Sequence, residues 1–191
     1  MKPQQMHIGG RWVGAGSGQT RSVINPFDAS EIARVPEGRR DDARAAIRAA
    51  REAFDDGQWS RTPVGERAEL LRRIGGLIRK HRDELARLET EDTGKTVTES
   101  RWDMDDVAGV FDYYAELAGQ QADEPLASPN RGTSSRLVRE PVGVCAQICP
   151  WNYPLLQASW KVAPALACLL YTSPSPRDCV SNLVCRLLRE K

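Results

Sequence analysis

A surplus of charge of either sign is what this sequence most plainly lacks, with 27 Lys and Arg set against 26 Asp and Glu. Without a basic excess there is nothing to grip phosphate backbones or anionic lipid, so no nucleic acid and no membrane partner is expected. Long apolar runs are missing as well. The longest, near residues 142–148, falls far short of the roughly 20 residues of a membrane span, and the N-terminus has no apolar signal core. A cytoplasmic location is the resulting expectation. Histidine is scarce: His7 and His81 are the only two, and both lie far upstream of the cysteines. That separation argues against a zinc site. The five cysteines, Cys145, Cys149, Cys168, Cys179 and Cys185, are odd in number and crowd toward the C-terminus. They suggest reduced thiols rather than a disulfide framework. The phosphate-cradling fingerprint G-x-G-x-x-G is also absent.

What is present is the make-up of a folded domain: 191 residues, 40% hydrophobic and 28% charged. Extended runs at 7–13, 21–24 and 31–35, separated by Gly, Ser, Asn, Pro and Asp clusters, predict a small antiparallel β layer. Asp41 and Asp42 then precede Ala43, Ala46, Ile47, Ala50 and Phe54, the acidic start and three-and-four spacing of an amphipathic helix. A second helix is predicted from Thr62 and Pro63, with Leu70, Leu71, Ile74, Leu77 and Ile78 along one face. A third, carrying Leu85 and Leu88, should stop near Gly94. Between Asp103 and Gln120 the stripe Val107, Val110, Phe111, Tyr114 and Leu117 predicts a further helix whose aromatics are core filler. Residues 123–132 read as a loop and 134–139 as an edge strand. The apolar run at 142–148 reads as a strand buried on both faces, leading through a Pro turn into a helix near Pro154. A strand, a turn and a helix in that order make the first half of a βαβ unit, where ligands sit beyond the carboxyl ends of the strands.

The specific signal is the run Ile148, Cys149, Pro150, Trp151, Asn152, Tyr153, Pro154, Leu155, Leu156, followed by Trp160, Lys161, Val162, Ala163 and Pro164. Upstream stand Ile8-Gly9-Gly10-Arg11-Trp12, Ile24-Asn25-Pro26, Ala53-Phe54 with Trp59, and Glu91-Asp92-Thr93-Gly94-Lys95. In this wording and order the sequence resembles the aldehyde dehydrogenase superfamily over residues 7–167. The resemblance implies an α/β fold, incomplete here: a Rossmann-like parallel sheet with N-terminal helices, a β-hairpin and oligomerisation strands near 131–141. Residues 1–167 would be the N-terminal part of the NAD(P)-binding domain. The implied activity is NAD- or NADP-dependent oxidation of an aldehyde to a carboxylic acid through a thiohemiacetal and a thioester on a cysteine.

The same resemblance assigns roles. Asn152 would donate its amide to the oxyanion formed by attack on the aldehyde; a plain turn residue is the alternative. Ile148, Cys149, Pro150, Trp151 and Asn152 resemble the family's wall beside the cofactor. Lys161 is similar to a lysine with a supporting charge-relay role, or is simply a helix lysine with a solvated head. Val23, Ile24 and Asp92 match positions that bind a monovalent cation through oxygen, against the plainer reading of Asp92 as a helix-end carboxylate. Within the superfamily, Pro-Trp-Asn-Tyr-Pro-Leu-Leu-Gln-Ala-Ser-Trp-Lys is most similar to betaine aldehyde and aminoaldehyde dehydrogenases, which implies glycine betaine formation. Tyr153 and Trp160, seven residues apart, should share a helix face. Ring faces suit a quaternary ammonium ion, and they suit apolar aldehydes too.

After Ala167 the wording departs from the family. Residues 168–191 read as an adapter-derived or otherwise out-of-family tail, and Ser173-Pro174-Ser175-Pro176 should not form a central strand. None of the five cysteines matches the family nucleophile, and no general-base glutamate is in place. Inactivity of this chain by itself is therefore expected. An alternative is a short non-catalytic binding or assembly partner of full-length subunits; relatives form homo-oligomers.

Overall fold

A computed structural model describes residues 4–120, 124–128, 130, 132–137, 141, 143–168 and 171–174, with 124 and 171–174 by backbone only. Two hairpins open the chain. β1 (Met6–Ile8) pairs antiparallel with β2 (Arg11–Val13). The single extended run expected at 7–13 is broken by Gly9 and Gly10, whose φ values of 57° and 76° suit a two-residue hairpin turn. β3 (Thr20–Ile24) pairs with β4 (Glu31–Pro36), with a bulge between Val23 and Ile24.

Four of the five helices among the described residues build the core. α1 (Arg40–Asp55) starts where Asp42 accepts a hydrogen bond from the Arg39 amide. α2 (Val64–Lys80) follows a short 3-10 turn, with Pro63 as its N-cap and not inside the first turn as expected. α3 (Arg82–Thr93) stops at Gly94, which is left-handed at φ 77°. A Cβ there would lie 2.9 Å from Pro26 Cγ, so glycine is required both by conformation and by the close approach of the β3–β4 loop. α4 (Val97–Gln120) starts well before Asp103 because Thr96 and Glu99 form a capping box: Thr96 Oγ1 accepts from the Glu99 amide at 3.2 Å and Glu99 Oε2 from the Thr96 amide at 3.1 Å.

Along α4, Met104, Val107, Ala108, Phe111, Ala115 and Ala118 face inward at helical spacing. They meet Leu71, Ile74 and Ile78 of α2, Leu85 and Ala86 of α3, and the helix α5 (Pro154–Ala167) through Leu155, Leu156 and Ala163. Small residues at Ala108 and Gly75 bring α2 and α4 close: a Cβ on Gly75 would stand 3.2 Å from the Ala108 carbonyl.

The β elements of the second half depart in detail from expectation. β5 (Glu124–Leu126) forms inside the predicted loop and pairs antiparallel with β6 (Ser135–Leu137). Residues 131 and 138–140 of the expected oligomerisation segment, and residue 142 of the expected buried strand, lie outside the described residues. β7 (Val144–Gln147) is half-buried, not buried on both faces, because among the described residues only one strand flanks it. That strand is β8 (Tyr171–Pro174), parallel to β7 in the register Val144 opposite Tyr171 through Gln147 opposite Pro174. Four residues of the tail expected to be out-of-family thus form a strand, and among the described residues β8 is paired on one side only, so it is not a central strand. Tyr171 and Thr172 are good strand formers, and Pro174 falls at the strand's last position, where a missing N–H costs least. β7, α5 and β8 complete a βαβ unit.

Candidate functional site

The site grows from the β7–α5 connection. Residues 148–153 leave the carboxyl end of β7 as an exposed loop, with Ile148 76% and Trp151 84% accessible. Pro154 occupies the first turn of α5, where its missing N–H removes nothing from the helix. The helix is then held against the core by Leu155, Leu156, Ala158, Ser159 and Ala163. Two long-range hydrogen bonds fix its orientation. Gln147 Nε2 donates to the Lys161 carbonyl at 2.8 Å, joining α5 to β7, and Arg67 Nε donates to the Ala167 carbonyl at 3.2 Å, joining it to α2.

Asn152 stands at the mouth of this loop, exposed, and its side-chain amide makes no hydrogen bond among the described residues. Its donors are therefore unspent. Lys161 lies part-buried one turn from Gln157, with Nζ 3.3 Å from both the Gln157 carbonyl and Oε1. That geometry is a helix lysine bonded along its own helix. Cys149 is half-exposed within the loop, with Cys145 inside β7 and Cys168 packed against the core at the end of α5; Cys179 and Cys185 lie outside the described residues.

Trp160, 53% exposed, lines a groove of about 460 Å³ between α5 and α4. Opposite it stand Asp105, Asp106, Gly109, Val110, Tyr113 and Tyr114. Tyr113 and Tyr114 meet edge to face at 5.2 Å between centroids. Asp105 is held by Arg82 through two bonds of 2.6 Å, and that contact lowers its pKa below the usual carboxylate range. Asp106 has no ion-pair partner among the described residues, so the groove carries an uncompensated negative charge beside three aromatic rings. The expectation that Phe111 and Tyr114 are only core filler holds for Phe111, fully buried, but Tyr114 is shared between core and groove; its neighbour Tyr113, outside that stripe, is 60% exposed. Asp106, Gly109, Val110 and Tyr113 follow the i, i+3, i+4, i+7 spacing of one helix face, a signal available in the sequence.

Tyr153 does not join that groove. It is the N-cap of α5, at φ −139° and ψ 67°, and its ring lies under the Lys95 ammonium, 4.0 Å from Nζ to centroid. Lys95 in turn reaches Glu89 Oε1 at 3.0 Å and Asp103 Oδ2 at 2.5 Å, with both carboxylates buried. Burial, reinforced by the hydrogen bond to Asp103, raises the Glu89 pKa to about 7 against the pull of Lys95. Burial opposes the Lys95 charge, but the bonds to the two carboxylates outweigh it and leave its pKa raised. Nothing in the sequence spacing announces this cluster, since it is assembled across a helix end.

The raised pKa of Glu89 gives a pH dependence with a definite sign. Below about pH 4.5 the carboxyl is protonated in folded and unfolded chains alike, and stability at this site is at its highest and independent of pH. Between about 4.5 and 7 the unfolded chain releases the proton and the folded chain keeps it, so stability falls as pH rises, and the loss is complete above 7. Glu89→Gln removes the titration. Its melting temperature relative to the unmodified chain should climb between pH 5 and pH 7.5; a constant difference across that range would contradict the assignment.

Asp92, near the end of α3, is exposed to solvent on one side; the protein around the rest of it raises its pKa by desolvation, and Arg21 opposes that shift. The β3 bulge between Val23 and Ile24 disrupts the ladder locally, and Gly94, two residues on, packs on Pro26 just beyond that strand. A carboxylate together with backbone carbonyls supplies the oxygen donors that a hard monovalent cation takes. No cluster of three or more His, Cys, Asp or Glu able to hold a metal occurs among the described residues. No described helix is long and apolar enough to cross a membrane.

The sequence profile of the aldehyde dehydrogenase family matches residues 12–190. A betaine aldehyde dehydrogenase of Bacillus subtilis (strain 168) is 56% identical over 164 residues, covering 86% of this chain and 34% of that protein. An aminoaldehyde dehydrogenase of Zea mays is 45% identical over 187 residues, covering 93% and 37%. Among solved structures, a betaine aldehyde dehydrogenase point mutant of Staphylococcus aureus in complex with NAD+ superposes with a TM-score of 0.93 at 47% identity, covering 100% of this chain and 39% of that one. The chain thus spans 34% and 37% of the length of these two curated relatives.

Proposed function

Because this chain belongs to the aldehyde dehydrogenase family, we propose that it supplies the oxyanion donor and part of the substrate channel of an NAD+-dependent enzyme oxidising betaine aldehyde to glycine betaine. The observation that carries the substrate class is the groove in which Trp160, Tyr113 and Tyr114 stand beside the unpaired carboxylate of Asp106. A trimethylammonium group donates no hydrogen bonds, so it is drawn to ring faces and to an uncompensated negative charge. The names of the Bacillus and Staphylococcus relatives agree with this reading.

Within it, the Asn152 amide donates to the oxygen that gains charge when a thiolate adds to the aldehyde carbon. The residues at the carboxyl end of β7 fit a nicotinamide dinucleotide: Ile148, Pro150 and Trp151 present an exposed apolar wall where ligands of βαβ folds bind, with Cys149 and Asn152 beside it. NAD+, when bound, accepts the hydride. Lys161 supports the charge balance from the middle of α5, and Val23, Ile24 and Asp92 hold a monovalent cation. Cys149 belongs to the cofactor wall, because its place in the motif matches that wall and not the family nucleophile. The β5–β6 ribbon, with Leu126 and Leu137 exposed, is the element assigned to contact between subunits.

The test is a chimera in which the matched segment of this chain replaces its counterpart in the Bacillus subtilis relative. It should reduce NAD+ with betaine aldehyde and continue to do so after Cys149→Ser. A soluble chimera that turns over only neutral aldehydes would remove the substrate assignment, and loss of turnover in Cys149→Ser would remove the assignment of that thiol.

A further inference from the structure

Lys95 is among the most fully constrained side chains of the described structure, and its ammonium touches the loop that carries Asn152. Its backbone lies in a three-residue connection fixed at both ends, by the left-handed Gly94 that closes α3 and by the Thr96–Glu99 capping box that opens α4. Its side chain, 15% exposed, is held by Glu89 of α3 and Asp103 of α4. The carboxylates are themselves seated in the core, at 4% and 9% exposure. The ammonium is therefore a fixed point of the helical bundle. The Tyr153 ring rests on it at 4.0 Å, while Ile148, Trp151 and Asn152 on the same loop are exposed.

We propose that Lys95, clamped by Glu89 and Asp103, is a positioning residue that docks the Tyr153 ring and so fixes the loop presenting Trp151 and Asn152. The proposal rests on the functional reading above for its effect on catalysis, but the clamp itself does not depend on it. One face of Tyr153 is occupied by the lysine, leaving the other face and the edge for a ligand. The ring is thus oriented by a charge on the protein before any substrate arrives, which reduces the ordering cost of binding. The interaction is selective for a cation over the ring. Lys95→Arg should preserve it. Lys95→Met keeps the stem and loses the charge.

Two measurements test this. In the 191-residue chain, the Lys95 Hε proton signals should be shifted upfield by the ring current; the shift should persist in Tyr153→Phe and vanish in Tyr153→Leu, which leaves Glu89 and Asp103 untouched. In the chimera, Lys95→Met should lower kcat for betaine aldehyde by roughly 5- to 20-fold, because the Asn152 amide is no longer held in place, with a smaller change in KM. Lys95→Arg should restore most of it. Combined with Tyr153→Leu, Lys95→Met should add less than about two-fold, because both changes remove the same contact. Multiplicative effects, or an unshifted Lys95 signal, would overturn the proposal. An inactive chimera with the ring-current shift intact would instead refute the functional reading and leave the clamp standing.

Discussion

Asn152→Ala in the chimera should lower kcat for betaine aldehyde by about 10²- to 10³-fold, the loss seen when one oxyanion donor is removed. KM should move much less, because the amide meets little charge in the ground state and a full oxyanion near the transition state. The structure supports so large an effect. Asn152 is exposed at the end of β7, its amide makes no competing hydrogen bond among the described residues, and the helix behind it is tied down by the Gln147 and Arg67 bonds. A change confined to KM would show that the residue only shapes the turn.

The second large effect concerns stability. Phe111 is fully buried at the middle of α4, in a cluster that joins it to α2, α3 and α5. Phe111→Ala should cost about 3–5 kcal/mol, combining the lost transfer energy of the ring with the cavity it leaves. At roughly 2–4 °C per kcal/mol for a chain of this size, that lowers the melting temperature by on the order of 10 °C. Trp102→Ala, on the same helix but 62% exposed, should change it by less than about 0.5 kcal/mol. Thermal unfolding of the two variants beside the unmodified chain reads the difference directly. Similar losses in both would mean that α4 is not packed as described. Because α5 docks on this cluster through Leu155 and Leu156, the same substitution should also weaken the site.

What the sequence made legible follows from how local each signal is. The spacing of Leu71, Ile74 and Ile78, and the glycine at 94, are read within one helical turn, and the structure places both as expected. The turn at Gly9 and Gly10 was as local, but two short strands joined by two glycines look like one run when only hydropathy is followed. β8 was missed because Pro174 and Pro176 weigh against a strand in any window. Only the pairing with β7 shows that Pro174 ends the strand and does not interrupt it. At the site, the motif around Asn152 was carried by resemblance, whereas Tyr153 and Trp160 show the limit of periodicity. Their two-turn spacing suggested a shared face, yet the helix starts at Pro154, the Tyr153 ring turns to Lys95 and only Trp160 lines the groove. The partners that decide this, Lys95, Glu89 and Asp103, come from two other helices and the connection between them, and no spacing rule relates them to Tyr153.

The proposal that this chain contributes recognition of a cationic aldehyde is tested most directly by a ratio of specificity constants. In the chimera, kcat/KM for betaine aldehyde is compared with that for 3,3-dimethylbutanal, the neutral carbon isostere, before and after Trp160→Leu. The ring face should favour the cation by about 0.5–2 kcal/mol beyond burial, so the ratio should fall by roughly 2- to 30-fold in the variant, while the neutral substrate keeps most of its apolar contact with Leu. Equal losses for the two substrates would contradict the account and reduce Trp160 to a wall of the channel.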